Sequence, residues 1–491
     1  MKINRFFIWV LSLGITTCAV KKRNYTTPES KANVEESELA AEQDTIFQQS
    51  AVTAAWWSNF NDPLLDTLIA RTRQRNLSIN AAVANFFAAR AVLRGTKYDR
   101  FPTVTLNANY TRQRLGENIF AQGSNLEFDQ YNATFDAFWE LNLFGRVTHR
   151  VKEAYAFEQV ALADMQAVYV SLFAEVARVY VELRGAQYLL DIAERNVENQ
   201  KETFELTARL ARSGTNNTLD VARAEAQLEN TRASIPTLQA QINTLTNTLN
   251  VLVGAVPGTL TSAITDKQPL PSLPDAVLVG ESEALLRRRP DVFKAEQEVL
   301  QLVAQYNLTA TDLYPRVTFN GSVGFSAINF SSLGQNRSFT YTLIPGISWA
   351  AFNLGRVKQQ INQQDALAIA AVNRYEQVTL EALLEIKNTM AEYEQELKRR
   401  ALLAKAFQKS KEAAQLAEDR FKAGLDSFLD YLSADRTLLE AEVALANSEI
   451  RTLTQLIALY KALGGGWEIV TDQELEEKFE QLKEQDSTLN K

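Results

Sequence analysis

The segment Trp139-Glu-Leu-Asn-Leu-Phe-Gly145-Arg146 recurs 210 residues later as Trp349-Ala-Ala-Phe-Asn-Leu-Gly355-Arg356. The same offset relates further landmarks, namely Gly214 and Gly424, Leu219-Asp220 and Leu429-Asp430, and Gly254 and Gly464. A constant offset over this many positions predicts an internal duplication. Each copy contains strand, loop, strand, Gly-Arg, a very long helix, a glycine turn and another long helix.

Two strands precede the long helix in each copy. Apolar and small polar residues alternate over about 103–113 and 131–142, and again over about 317–326 and 338–349. This alternation predicts strands with one apolar and one polar face. Their length suits tilted strands that cross a membrane, with lipid on one face and water on the other. A soluble sandwich with one buried face is the alternative.

The helical segments carry apolar residues every three or four positions, as at Leu172, Val176, Val179 and Leu183. Such seven-residue seams are typical of helices that pack side by side over long distances. We predict long helices at about 146–212, 218–254, 356–423 and 428–463. Each of the two longest would extend on the order of 100 Å. Pro236 predicts a kink or a division of the return helix.

The first 17 residues have the features of an export signal, with Lys2 and Arg5 before an apolar core from Phe6 to Ile15. The signal ends at Cys18, where the sequence is similar to a bacterial lipoprotein cleavage site. We predict that Cys18 is acylated and that residues 18–55 form a lipid-anchored segment. Ordinary cleavage near this cysteine is the alternative. Several acyl chains would hold the N-terminus at a membrane, since each buried methylene contributes about 0.8 kcal/mol.

Composition argues against several classes of function. The net charge is −8 without a basic block, which disfavours nucleic acid as a partner. Cys18 and His149 are the only cysteine and histidine, so neither a zinc site nor a Cys–His nucleophile is expected. We predict no enzyme activity, no cofactor and no metal. No uninterrupted apolar run of 18 residues follows the signal, so we expect no transmembrane helix.

Four membrane strands cannot stand alone, because an open sheet edge in lipid leaves unpaired backbone groups that cost several kcal/mol each. A dimer, a trimer and a tetramer would supply 8, 12 and 16 strands, and all of these numbers are permitted. The sequence pattern does not choose among them. A coiled-coil lipoprotein that tethers the outer membrane without conducting is a second hypothesis, but it leaves the alternating strands unexplained.

Several motifs together resemble a known family. They are Cys18-Ala-Val followed by Tyr25 and Pro28, the Trp139 and Trp349 segments quoted above, and Arg289-Pro290-Asp291-Val292. Their order resembles the TolC-like outer-membrane factors, and most closely the lipoprotein branch of resistance–nodulation–division efflux systems. The resemblance covers about Trp56 to Trp467. Thr17 and Asn142 depart from the family pattern, which commonly has a smaller residue and Asp at these positions.

The resemblance implies a mainly α fold with a β-barrel part. Three chains would form a 12-stranded β-barrel in the outer membrane, continuous with a periplasmic α-helical barrel. Such a homotrimer docks onto a periplasmic adaptor protein that connects it to an inner-membrane pump. The channel would conduct drugs or other small molecules passively, because the pump selects the cargo. A type I secretion duct is the alternative within the family.

The resemblance also implies a gate at the periplasmic tip. Acids at or near Asp430 and an aromatic at Phe421 occupy the constricting positions, and Asp426 lies beside them. Ser433 stands where some relatives carry a second acid. Simple helix capping is the other interpretation of Asp220, Asp426 and Asp430, and we favour it for the first two. The turns at Gly214 and Gly424 are expected to contact the adaptor.

The chain is thus divided into a signal peptide, an anchored segment, two repeats and a tail. The ranges are 1–17, 18–55, 56–263, 264–467 and 468–491. The acidic tail carries Leu475, Phe479 and Leu482 at helical spacing. This spacing predicts a short amphipathic helix that packs on the long helices or frays.

Overall fold

The computed structural model describes residues 46–50, 53–115, 126–213, 217–259, 264, 266–280 and 282–489. The export signal, Cys18 and Gly214 lie outside the described residues. The described chain divides into two compact units. Unit 1 contains Phe86–Ala161 and Lys294–Tyr375, and unit 2 contains the described residues up to Asn85, Leu162–Phe293 and Glu376–Leu489.

The helices and strands follow the duplicated order expected from the sequence. In chain order they are β1 (Phe47–Gln49), α1 (Pro63–Arg75), α2 (Leu77–Lys97), β2 (Thr103–Leu115), β3 (Leu126–Leu141), α3 (Arg146–Arg212), α4 (Thr218–Leu252), β4 (Val277–Val279), α5 (Ser282–Arg288), α6 (Pro290–Ala310), β5 (Arg316–Ala327), β6 (Phe339–Ser348), α7 (Leu354–Lys422), α8 (Phe428–Ala462) and α9 (Asp472–Leu489). The matching helices of the two copies have nearly equal lengths: α3 and α7 have 67 and 69 residues, and α4 and α8 have 35 each.

Unit 1 contains a four-stranded antiparallel sheet in the order β2-β3-β5-β6. The strands of the two copies join where β3 pairs with β5, with Leu141 opposite Val317. β2 and β6 form the edges, and among the described strands neither has a partner on its outer side. Pro345 lies in β6, and an edge strand accommodates the missing N–H of proline.

β3 begins five residues before the position that alternation suggests. Apolar residues occupy odd-numbered positions from Tyr131 onward, and Phe128 at an even position does not fit this series. The side-chain pattern therefore does not extend before Tyr131, although the backbone pairing with β2 does. The extension pairs β3 with the end of β2 through charged side chains, with Arg112 Nε 3.0 Å from Glu127 Oε1. Backbone pairing with β2 therefore extends this strand where side-chain pattern does not.

Unit 2 contains a core of aromatic and aliphatic side chains. Trp56 is completely buried and stacks on Tyr460, with ring centroids 5.1 Å apart. Trp57 packs edge-on against Phe173 at the same centroid distance. Large rings dominate such a core because each removes a large apolar area from water.

α4 passes through Pro236 without being divided. Of the two outcomes expected at Pro236, a kink or a division, the division is therefore not found. Proline lacks one backbone donor, and nearby hydroxyls engage the preceding turn, with Ser234 Oγ donating to the Thr231 carbonyl at 2.7 Å.

α3 contains one window that is long and apolar enough to cross a membrane by composition. From the sequence we expected no such helix because no uninterrupted apolar run is long enough. This window has a high mean hydropathy but is interrupted by polar residues. Many apolar side chains of α3, including Val176, Val181 and Leu183, are buried inside the protein. A core helix passes the same test, so this window is only weak support for a membrane helix.

The C-terminal tail forms α9, which packs in unit 2. Leu475 is buried, Glu474 pairs with Arg73 at 3.2 Å, and Lys478 Nζ donates to the carbonyl of Gln74 at 3.2 Å. Burial lowers the pKa of Lys478 to about 8. The lysine satisfies carbonyl groups at the C-terminal end of α1, which a helix otherwise leaves without partners.

Gly254 closes the turn after α4 and lies against α1. Its φ is +71°, a left-handed conformation, and a Cβ there would overlap the carbonyl oxygen of Arg75. Gly464 holds the equivalent position in the second copy, with φ +72°. The duplicated glycines thus end equivalent helices where a side chain cannot be accommodated.

We expect Gly254→Ala to destabilise the fold by more than the roughly 1–2 kcal/mol cost of the left-handed conformation alone, because the new methyl group also meets the Arg75 backbone. Gly258→Ala is the matched control, since Gly258 has φ +86° but open space around its Cβ position. Thermal unfolding followed by circular dichroism checks the difference. Equal melting temperatures for the two variants would contradict the proposed close contact.

Candidate functional site

One face of the unit 1 sheet exposes large apolar side chains. Leu106, Tyr341 and Ile347 are 65, 70 and 77% exposed. Further exposed members of this face are Val104, Tyr110, Phe135, Val323, Phe339 and Leu343. An apolar surface of this extent is uncommon on a soluble monomer and indicates a membrane or protein contact.

The opposite face of the sheet carries a polar network centred on Asp136. Its two carboxylate oxygens accept bonds of 2.6 Å each from Asn107 Nδ2 and Ser322 Oγ. Gln130 Nε2 extends the polar surface by donating to Ser326 Oγ at 3.2 Å. The sheet therefore has one strongly apolar face and one face with a polar network, on which Phe138 and Ile344 are the exposed large apolar side chains. This contrast is typical of strands between lipid and water.

Trp139 and Trp349 form equivalent hydrogen bonds at the same end of the sheet. The indole N–H of Trp139 donates to the Arg100 carbonyl at 3.1 Å, and that of Trp349 donates to the Leu313 carbonyl at 3.0 Å. Both carbonyls immediately precede an aromatic-proline pair. The repeated tryptophan thus has a common structural role, and tryptophan favours membrane interfaces because its ring is apolar and its N–H is polar.

The turn between α7 and α8 in unit 2 contains the predicted gate residues. Phe421 is 6% exposed and stacks on Tyr431, with ring centroids 5.7 Å apart and planes 5° apart. Phe428 packs against both rings. Phe421 therefore lies inside the protomer, where it stabilises the turn. The constricting role that the resemblance implied for Phe421 stays a prediction.

Asp430 lies in the first turn of α8 and forms a capping box with Ser427. The Ser427 side chain accepts the amide of Asp430 at 3.3 Å, and Asp430 Oδ2 accepts the Ser427 amide at the same distance. The Ser427 hydroxyl also donates to Asp430 Oδ2 at 2.6 Å. Asp430 itself is exposed. It thus has the capping role weighed from the sequence, while an exposed carboxylate remains accessible to other chains.

Asp426 is not the helix cap that the sequence suggested. Ser427 is the N-cap, and Asp426 forms a two-pronged ion pair with Arg420 across the turn. The two N–O distances are 2.6 and 2.9 Å. Arg420 lowers the pKa of Asp426 below its usual range. Two parallel charge-assisted bonds fix the geometry of the guanidinium and carboxylate, and they enclose Gly424, whose φ is +72°.

The turn between α3 and α4 has a different polar chemistry. Asn217 caps α4 by accepting the amide of Asp220 at 2.9 Å, so Asn217 and not Asp220 is the N-cap. Asp220 instead contacts Arg223 at 3.4 Å. Leu210 occupies the position that corresponds to Arg420. The Arg420–Asp426 ion pair therefore belongs to one copy of the duplication only.

Sequence reasoning missed Ser427 and Arg420 as parts of this site. The Ser427-x-x-Asp430 spacing is that of a capping box and could have identified the first. Arg420 lies six residues before its partner Asp426, and helical spacing does not bring such residues together. The adaptor contact predicted at Gly214 lies outside the described residues, and Gly424 is exposed at the turn.

Solved outer-membrane channels share this fold. The outer-membrane channel OprN is 35% identical, with a TM-score of 0.85 over 92% of this chain and 100% of that chain. The open state of the Neisseria gonorrhoeae MtrE outer membrane channel is 27% identical, with a TM-score of 0.77 over 91% of this chain and 98% of that chain. The fold is that of the outer-membrane channels.

Sequence comparison identifies the family. The family model described as outer membrane efflux protein matches residues 68–255 and 282–465, one range in each copy. The toluene efflux pump outer membrane protein TtgC of Pseudomonas putida is 30% identical over 475 residues, covering 93% of this chain and 96% of that protein. The antibiotic efflux pump outer membrane protein ArpC of Pseudomonas putida is 29% identical with the same coverage.

The chain belongs to the outer membrane efflux protein family. The prediction from sequence motifs is confirmed at this level, and the protein is an outer-membrane channel component of an efflux system. The family is one of channels and not of enzymes. The relatives are components of pumps, which implies that this chain works with adaptor and pump proteins.

We expect Ser427→Ala to weaken the first turn of α8 by about 1 kcal/mol, the usual cost of losing an N-cap side chain. Amide hydrogen exchange over 428–431 should then accelerate roughly fivefold. Ser433→Ala is the matched control because Ser433 is an exposed serine of the same helix. Unchanged exchange in Ser427→Ala would show that the capping box does not hold the turn.

Proposed function

We propose that three copies of the chain close a 12-stranded β-barrel in the outer membrane and continue as an α-helical barrel into the periplasm. The observation that carries this proposal is the two-faced sheet, whose apolar face is exposed and whose edges β2 and β6 have no partner among the described strands. Neighbouring copies would pair β2 with β6 and satisfy the backbone groups of both edges. The Asp136 network would then face the water-filled lumen.

The helical turns form the periplasmic end of this channel. Asp430 would line the constriction, where three like charges near one axis repel one another and favour opening. The ion pair between Arg420 and Asp426 opposes this tendency, because it fixes the conformation of the turn that carries Asp430. Phe421 supports the same turn by its packing. We infer that opening requires this turn to rearrange.

The periplasmic adaptor protein would contact the turns at Gly214 and Gly424. An inner-membrane pump of the resistance–nodulation–division class would deliver the cargo and supply the energy. Relatives named for toluene and antibiotic efflux support small organic molecules as the cargo class. The lumen has no need to select them, since the pump does so before they reach the channel.

We expect Arg420→Gln to raise the open probability of the channel severalfold in planar bilayers. The substitution removes the two charge-assisted bonds that hold Asp426 and leaves the helix otherwise intact. Asp426→Asn should have a similar effect, and the double variant should add little, because both changes break one interaction. Unaltered open probability in all three variants would exclude this ion pair from gating.

Lys409→Gln is the matched control for this experiment. It breaks another exposed ion pair of α7, in which Lys409 Nζ lies 2.7 Å from Glu412, and it should not change conduction.

The pH dependence of conduction supplies a second check. Arg420 lowers the pKa of Asp426. The ion pair therefore stabilises the turn fully above the ordinary carboxyl pKa of about 3.9, and this stabilisation is lost only as the pH falls through the lowered pKa. Wild-type conduction should therefore be equal at about pH 7 and about pH 5.

We further propose that Cys18 becomes the acylated first residue of the mature chain. Cells grown with radiolabelled palmitate should incorporate label into the wild-type protein and not into Cys18→Ser, because the chain has no other cysteine. Chains of the unacylated variant that have not assembled into closed trimers should also be released from membranes more readily than those of the wild type. An unlabelled wild-type protein would favour ordinary signal cleavage instead.

A further inference from the structure

A cavity of about 920 Å³ lies in unit 1 at the end of the sheet where β3 ends and β5 begins. Its walls come from the 142–145 turn, the first turns of α3, the second half of α6 and Tyr314. We call it the interfacial cavity. Its volume is within the range of small-molecule sites in proteins, and neither the gate nor the proposed barrel closure accounts for it.

The polar side chains that line the interfacial cavity include Asn142, Thr148, His149, Lys152 and Asn307. His149 and Asn307 are more than nine-tenths buried, at 8 and 7% exposure, although both are polar. Both side chains are therefore polar groups held deep in the wall of the cavity.

The charge around the interfacial cavity is positive. Lys152 lies at its exposed rim and has no ion-pair partner in the described part of the chain. Two other cations of the first turns of α3 are neutralised, since Arg146 pairs with Glu140 and Asp312 and Arg150 pairs with Asp99 at 3.0 Å. None of the described lining residues is acidic. An anion is therefore the complementary ligand.

The hydrogen-bonding pattern at the start of α3 also suits an anion. Both ends of the Asn142 amide are engaged, since its Oδ1 accepts the Val147 amide at 3.0 Å and its Nδ2 donates to Thr148 Oγ1 at 2.7 Å. Thr148 accepts this bond, so its own hydroxyl hydrogen can be donated into the cavity. Hydroxyl, imidazole and ammonium donors together match the oxygens of a phosphate group.

The remaining walls are mainly apolar. Phe144 stacks on Tyr314, with ring centroids 5.0 Å apart and planes 9° apart. Leu143 and Tyr155 are 62 and 53% exposed at the cavity rim. Trp139 and Trp349 mark the same end of the sheet with their equivalent backbone bonds. A ligand here would meet donors at one end and apolar side chains at the other.

We propose that the interfacial cavity binds the phosphate headgroup of a phospholipid from the periplasmic leaflet of the outer membrane. Lys152, His149 and Thr148 hold the phosphate, and Leu143 and Tyr155 contact the glycerol and the upper acyl chains. A free phosphate ion would use the donors but not the apolar rim. The proposal relies on the sheet lying in the outer membrane with its helical end toward the periplasm.

The test uses the full-length protein, purified and freed of lipid, with phosphatidylglycerol added and bound lipids counted by native mass spectrometry. The wild type should retain one lipid per chain. The double variant Lys152→Gln, His149→Gln should bind about tenfold more weakly or worse, because charge-assisted bonds are roughly twice as strong as neutral ones. Ala304→Leu, which fills the cavity without changing charge, should weaken binding as well. Ala304 is buried in the cavity wall.

Lys405→Gln is the matched control, since it removes an exposed lysine of α7 that has no ion-pair partner among the described residues. It should bind lipid like the wild type. Equal binding by the wild type and both cavity variants would overturn the proposal. Displacement of the lipid by an equal concentration of glycerol phosphate would also overturn it, because that result indicates a simple anion site.

Conductance of the same preparations separates this proposal from the proposed channel. Cavity variants that conduct normally but lose lipid support the lipid site without bearing on the gate. Normal conductance together with undiminished lipid retention by the variants refutes the lipid site alone. Absence of conductance in the wild type would refute the channel architecture and would remove the membrane placement on which the lipid site depends.

Discussion

The need to pair every backbone N–H and C=O in lipid governs the architecture proposed for this protein. A four-stranded sheet with one exposed apolar face can enter a membrane only if its two edges are paired. The chain supplies the apolar face and the polar Asp136 network, and in the proposed barrel the edges β2 and β6 would pair with neighbouring copies. The duplication makes this possible because β3 of the first copy pairs with β5 of the second.

Much of this fold could be predicted from spacing alone. The constant offset indicated two equivalent halves, and alternation and heptad seams placed strands and helices within a few residues of their observed ends, apart from β3. The early start of β3 at Leu126 escaped because backbone pairing continues where side-chain alternation stops. The division considered at Pro236 did not occur, because a long packed helix can tolerate the loss of one backbone donor.

The site could be predicted less well, because its decisive contacts are not periodic. The sequence located the turn and named Asp426, Asp430 and Phe421. It did not reveal that Asp426 pairs with Arg420 or that Ser427 is the cap. These hydrogen-bond partners depend on the path of the backbone through the turn. Burial of Phe421 likewise depends on Tyr431 and Phe428, which approach it from the next helix.

The difference between the two turns has a consequence for how the gene can change. The turn before α4 has Leu210 at the position where the other copy has Arg420. A single substitution at 420 or 426 would therefore alter three of the six turns in the proposed trimer and leave the other three as they were. In the proposed channel, natural variation at these two positions would therefore change the gate through three turns and leave the sequence of the other three unchanged.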